Sequence, residues 1–170
     1  MKHIRVTSAV VIAGIAALAI AVSSGTARTT RPLPAAGTAL TLRQTPFGNA
    51  LVAANGRTLY RFEADKPDVS TLSRAGFAVW PAFTSARRPL ATGGVNAAHI
   101  GTVTRPNGSP QVTYYGHPLY FYVGDRKPGE TNGQGLKEFG ALWYVLSGRG
   151  KAVTSAPITP SSSTQSGYGY

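Results

Sequence analysis

Gly56-Arg57-Thr58-Leu59-Tyr60-Arg61-Phe62-Glu63-Ala64-Asp65 has a second copy further along the chain, Gly116-His117-Pro118-Leu119-Tyr120-Phe121-Tyr122-Val123-Gly124-Asp125. The shared frame is Gly-x-x-Leu-Tyr-x-aromatic-x-x-Asp. Its recurrence at one spacing within 170 residues marks an internal duplication. Read as a strand, each copy alternates. Leu59 shares a face with Arg61 and Tyr60 with Phe62, while Leu119 and Phe121 lie opposite Tyr120 and Tyr122. Each motif strand therefore offers a pair of aromatic side chains to a core.

The neighbouring segments extend this reading. Ala50 to Ala54 leads into Asn55-Gly56, a strong hairpin turn, and returns through Thr58 to Glu63. In the second half Ile100 to Arg105 precedes Pro106-Asn107-Gly108-Ser109-Pro110, which is turn chemistry throughout. Gln111 to Tyr115 then turns at Gly116 into Pro118 to Val123. Trp80 follows Asp65 by fifteen residues and Trp143 follows Asp125 by eighteen, each inside an apolar run. The expectation is that each tryptophan sits on a strand and caps the core of its own repeat, with its indole N–H free to find a partner. Twenty glycines, twelve prolines, 14% charged residues and no long 3.6-residue period favour short strands joined by turns. The fold class expected is mainly β: two homologous hairpin-plus-tryptophan-strand repeats, about 42–84 and 99–153, packed into one antiparallel domain spanning 38–153.

The ends read differently. Lys2, His3 and Arg5 precede an unbroken small and aliphatic run from Ala9 to Val22, and Gly25-Thr26-Ala27 offers a small-x-small cleavage site, so residues 1–27 read as a signal peptide. The alternative is an uncleaved anchor, but the run falls short of the roughly 20 residues a spanning helix needs. Residues 28–37 read as a linker. Residues 154–170, rich in Ser, Thr, Pro and Gly, read as a disordered tail suited to glycosylation or wall contact. Cysteine is absent, which removes disulfides, thiol nucleophiles, thiolate metal sites and a cysteine-borne lipid from these residues.

These motifs resemble the bacterial secreted-repeat family, the predicted lipoproteins marked by Tyr-x-(Phe/Trp/Tyr)-x-x-Asp. Tyr60 to Asp65 and Tyr120 to Asp125 both satisfy that pattern, and Trp80-Pro81, Gln111 to Leu119 and Pro128 to Gly135 extend the likeness over about Leu42 to Val153. The resemblance implies export and assigns no reaction. Relatives often carry a cysteine after the leader, and two more between the first Asp and Trp-Pro. Here that segment is Ser70 to Phe77, with Leu72 and either Gly76 or Phe77 near the cysteine positions, so the resemblance implies packing in place of a structural disulfide.

Candidate chemistry centres on Asp65 and Asp125, the carboxylates fixed in both repeats. One reading has each accept backbone N–H bonds from its following loop; the other makes them a metal or acid–base pair near a pseudo-twofold axis, with His117 beside them. The sequence carries six acidic residues and no His-x-x-x-His, and no Gly-x-Ser-x-Gly between strand and helix. Gly129 to Gly135 lacks the Gly-Lys-Ser/Thr ending of a phosphate loop and reads as a flexible loop. The motif residues Gly56, Leu59, Tyr60, Phe62, Trp80, Gly116, Leu119, Tyr120, Tyr122 and Trp143 read as structural, and no cofactor is indicated. The formal charge is +11, of which Lys2 and Arg5 supply two, leaving about +9 on the rest; Arg87-Arg88 is its most localised spot. The expectation is a cell-envelope-associated binding or structural module without catalysis. Its partner would be an anionic envelope polymer or another envelope protein rather than nucleic acid, and membrane attachment would run only through an uncleaved leader. The alternative is an extracellular metal-dependent or hydrolytic protein using the repeat aspartates.

Overall fold

The computed structural model describes residues 39–158. The expected leader, the linker and the tail beyond Ile158 lie outside them. β1 (Ala39–Thr45) and β2 (Gly48–Ala53) form a hairpin, and β3 (Tyr60–Phe62) is the core of the first motif. β4 (Leu90–Ala91) lies between the repeats. β5 (Ile100–Thr104), β6 (Pro110–Tyr114) and β7 (His117–Pro118) form the second meander, and β8 (Lys137–Glu138) and β9 (Ala141–Val145) close the chain. Three short sheets result, in the orders β2-β1-β4, β3-β9-β8 and β5-β6-β7. The pairings are antiparallel except that of β4 with β1, which is parallel. β1, which the hairpin reading left out, is the counterpart of β5.

Backbone hydrogen bonds show how the copies are joined. Each motif pairs with the tryptophan segment of the other repeat. Glu63 N–H donates to the Leu142 carbonyl at 3.0 Å, and Val123 N–H donates to the Val79 carbonyl at the same distance. Leu51 N–H reaches the Leu146 carbonyl, and its counterpart Val112 N–H reaches the Phe83 carbonyl, both at 2.8 Å. Tyr60 and Tyr120 form the central bridge. The duplication is thus an exchange: neither repeat completes its own strand pairing.

That exchange corrects the expectation for the tryptophans. Trp143 stands on β9, but Trp80 follows a 3-10 turn at Gly76–Ala78 and lies outside any strand. The two indoles do not cap separate repeats. They stack on one another with centroids 3.8 Å apart and planes 4° apart, and both are fully buried. Phe62 stacks on Trp143 at 4.4 Å and Tyr122 lies against Trp80 at 4.5 Å, so each indole takes the second aromatic of the opposite motif. Leu59 and Leu119 point the other way, into an aliphatic cluster with Leu40, Leu51, Val112 and Leu146. Alternation along each motif thereby feeds two cores, one built around the tryptophans and one mainly aliphatic that also holds Phe83 and Tyr114.

Gly56 and Gly116 hold the motif turns at φ +79° and +77°, a region side chains disfavour. Leu72 is buried, and its Cδ1 occupies the space a Cβ at Gly76 would need. The Gly129 to Gly135 stretch is a loop, as expected, but a packed one: Gly129 N–H donates to the Gly56 carbonyl and Gly135 N–H to the Trp143 carbonyl. Residues 154–158 carry no strand and are exposed, with Ile158 N–H donating to the Pro46 carbonyl.

Candidate functional site

The side chains of the motif cross between repeats as the backbone does. The Tyr60 hydroxyl donates to Asp125 Oδ2 at 2.7 Å, and the Tyr120 hydroxyl donates to Asp65 Oδ2 at 2.6 Å. The second oxygen of each carboxylate faces its own following loop. Asp65 Oδ1 accepts the Thr71 N–H at 2.6 Å and its hydroxyl at 3.1 Å; Asp125 Oδ1 accepts the Asn132 N–H at 2.8 Å. Ser70 Oγ lies 2.7 Å from the Tyr120 hydroxyl, and Gly133 N–H donates to the Tyr60 hydroxyl at 3.3 Å. Each Tyr–Asp pair therefore clamps the loop after one motif to the strand of the other.

Burial dominates the acid–base behaviour of these groups. It pushes both phenols far above their ordinary range, and the carboxylate facing each one adds to the rise. Burial also raises Asp65, against the lowering effect of its Thr71 and Tyr120 hydrogen bonds. It raises Asp125 likewise, against those of Tyr60 and Asn132. A phenol that cannot readily ionise is a good permanent donor to a carboxylate, and the hydrogen bonds in turn offset the desolvation of the charge.

The turn residues cross as well. Arg57 lies 4.4 Å over the ring of Phe121 and donates to the Tyr122 carbonyl at 3.0 Å. At the corresponding place His117 is half-buried on β7, with Nε2 2.9 Å from Arg61 Nη1. Burial and then the Arg61 charge hold the His117 imidazole below its ordinary value, which favours the neutral ring that accepts from Arg61.

As a metal site the arrangement has little to offer, because the structure shares each carboxylate between a phenol and a loop instead of aiming both at one point. Among the described residues no group of three or more His, Cys, Asp or Glu side chains is placed to hold an ion. Glu138, which carried no signal in the sequence, joins the two tryptophans: its Oε2 accepts the Trp80 indole N–H at 2.7 Å and its carbonyl accepts that of Trp143 at 3.2 Å. Thr71, Asn132 and Gly133 carry no repeated sequence signal either. Their loops differ in length between the copies, so repetition could not point to them.

The family described as a secreted repeat of unknown function matches the chain twice, over residues 41–84 and 101–147. The chain belongs to this family. Both matched stretches contain a complete Tyr-x-aromatic-x-x-Asp motif and its tryptophan, so the two secreted repeats are the two halves of the exchange just described. No curated protein and no solved structure matches the chain. As a secreted-repeat protein it acts outside the cytoplasm, and the crossed Tyr–Asp clamps give the tyrosine and the aspartate of each of its two repeats a structural task.

Proposed function

We propose that this protein is a non-catalytic binding module of the cell envelope. The observation that carries the reading is the engagement of the motif carboxylates. Both Asp65 and Asp125 have each oxygen hydrogen-bonded within the fold, and Asp125 is only 4% exposed. Carboxylates so engaged tie a loop of one repeat to a phenol of the other, which is a structural task. Function then falls to the surface of a chain whose basic residues outnumber its acidic ones, 17 to 6. Outside the cytoplasm such a surface meets anionic wall polymers, lipid headgroups and acidic proteins.

The test is the melting temperature of the exported chain with divalent metals, a chelator and anionic wall polymers, at low and at physiological salt. A rise with polyanions that shrinks at physiological salt is expected, because exposed charges are screened over about 8 Å there. A rise with one metal, reversed by the chelator, would overturn the reading and return the aspartates to the centre.

A further inference from the structure

The outer side of β5 is where the duplication fails to match itself. β1 and β5 are counterparts: Leu40 faces Ala53 across β2 as Ile100 faces Tyr114 across β6. β1 is covered by β4, which runs parallel to it with Ala39 opposite Leu90 and Leu40 opposite Ala91. The Leu40 carbonyl accepts the Thr92 N–H at 2.9 Å. No described residue pairs with the outer side of β5. Leu90 stands ten residues after Trp80, and the same distance after Trp143 brings the chain to Val153. That residue is turned back by the hairpin joining Leu146 to Ala152, and its N–H donates to the Val145 carbonyl at 3.0 Å.

The ladder fixes which groups of β5 face outward. Tyr115 N–H donates to the His99 carbonyl and Arg105 N–H to the Ser109 carbonyl, so alternate residues from His99 through Gly101 and Val103 face β6. The N–H and C=O of Thr102 and the C=O of Ile100 therefore point away, as the Leu40 carbonyl does in β1. Two open hollows border this edge and share Ile100 and Gly101. One, of about 380 Å³, carries the exposed Arg87 and Arg88. The other, of about 330 Å³, carries His99 and Tyr115, whose rings stack at 3.7 Å, together with Asp68, so the basic character of the edge lies at the first hollow.

We propose, building on the binding-module reading, that the outer edge of β5 takes up an extended acidic segment of a partner protein as an added strand. β4 on β1 is the internal precedent: the same edge in the first repeat is filled by backbone, in parallel register. Free strand edges recruit extended peptides through main-chain hydrogen bonds, with side-chain contacts setting the choice of peptide. Arg87 and Arg88 at the hollow select for carboxylates on that segment. A second copy of this basic chain is the wrong match, and residues 159–170 carry no acidic side chain.

The experiment titrates the exported chain into a labelled synthetic peptide of Glu alternating with Val and Thr, at physiological salt. A Lys-for-Glu peptide and polygalacturonate, an anionic polysaccharide with no peptide backbone, are run beside it, and amide hydrogen exchange is followed at Thr102. The Glu peptide should bind and slow exchange of the Thr102 amide by about tenfold or more, while the Lys peptide does neither. Thr102→Pro removes an outward donor and no bond to β6, so it should weaken binding about tenfold while leaving the melting temperature near that of the parent. Arg87→Glu, at an exposed position, should also weaken the Glu peptide and serves if the proline variant does not fold; Arg88 is left in place because its Nη2 donates to the Ala97 carbonyl in the turn before β5. Polygalacturonate binding without Thr102 protection, alongside a Glu peptide indifferent to Thr102→Pro, would overturn strand addition and leave the binding-module reading standing. A Glu peptide that does not bind would overturn it too. Failure of the broader reading shows separately, as the metal response described above.

Discussion

Tyr60 and Tyr120 face one another across the pseudo-twofold axis of the molecule, each N–H donating to the other's carbonyl at 2.9 and 3.0 Å. Their phenols then diverge to the aspartates of opposite repeats. One residue type at one motif position therefore does two things. Its backbone joins the repeats at the centre, and its side chain locks the far loop. A motif written within a single repeat thus describes the contact between two.

The crossed clamps are separable by double-mutant cycles. Tyr60→Phe or Asp125→Asn alone should cost about 1.5–3 kcal/mol, the worth of a hydrogen bond to a charged group. Combined, they should show a coupling of about 1–3 kcal/mol, whereas Tyr60→Phe with Asp65→Asn, its own repeat's aspartate, should add to within about 0.5 kcal/mol. Urea unfolding measures both. Equal couplings for the two pairs would sink the crossed arrangement.

Neither half should fold alone. A fragment of residues 39–91 lacks the strand that pairs with β3, and a fragment of 92–158 lacks the Trp80 segment that pairs with its own motif. Each is expected to show no cooperative melting in isolation, and an equimolar mixture to regain strand circular dichroism and a single transition. A sharp transition in either fragment by itself would mean the exchange is dispensable.

Much of this architecture is legible in the chain because it depends on short-range pattern. The two turns at Gly56 and Gly116, the in-and-out alternation of side chains around Leu59 and Leu119, and the strands β5 and β6 all follow from local turn chemistry and period-two spacing, although the second motif, read as a strand over Pro118 to Val123, is extended chain bridged at Tyr120 beyond β7. What spacing cannot reveal is which copy a residue partners. Trp80 and Trp143 look equivalent in sequence, and only the folded backbone shows that they stack on each other. The segment before Trp80 is a 3-10 turn at Gly76–Ala78 in spite of its apolar run, and Pro81, which has no N–H to give a ladder, follows the tryptophan directly. Among the candidate site residues, Asp65 and Asp125 are visible through repetition, while Thr71, Asn132 and Glu138 are placed by tertiary contacts alone.

High pH should unfold the protein steeply. The folded pKa values of Tyr60 and Tyr120 lie well above the ordinary phenol value of about 10, so their contribution is complete below that pH and is lost as pH rises beyond it. Each buried phenol adds up to about 1.4 kcal/mol of lost stability per pH unit above pH 10. Stability measured by urea at successive pH values should fall along that slope, and Tyr120→Phe should make it shallower by one phenol's share. An unchanged slope in the variant would show that Tyr120 ionises as freely folded as unfolded.

Gly133 is the position where the aromatic core and the clamp meet most tightly. A Cβ there would lie 2.7 Å from Trp80 Cη2 and 3.1 Å from Tyr60 Cε1. The indole has little room to retreat, since Trp143 stacks on it at 3.8 Å and Glu138 holds its N–H. Gly133→Ala should therefore cost about 1–3 kcal/mol, as overpacking of a filled core does. Displacing Tyr60 would also weaken its bond to Asp125, so the variant should begin to unfold at a lower alkaline pH than the parent. Gly76→Ala makes the control. Its obstacle is the branched end of Leu72, which can turn aside or be trimmed, and Leu72→Ala should recover part of the Gly76→Ala loss. No trimming of a single neighbour should rescue Gly133→Ala, because indole and phenol are both fixed by their own hydrogen bonds. Rescue there by Tyr60→Phe alone would place the strain on the clamp and not on the stacked tryptophans.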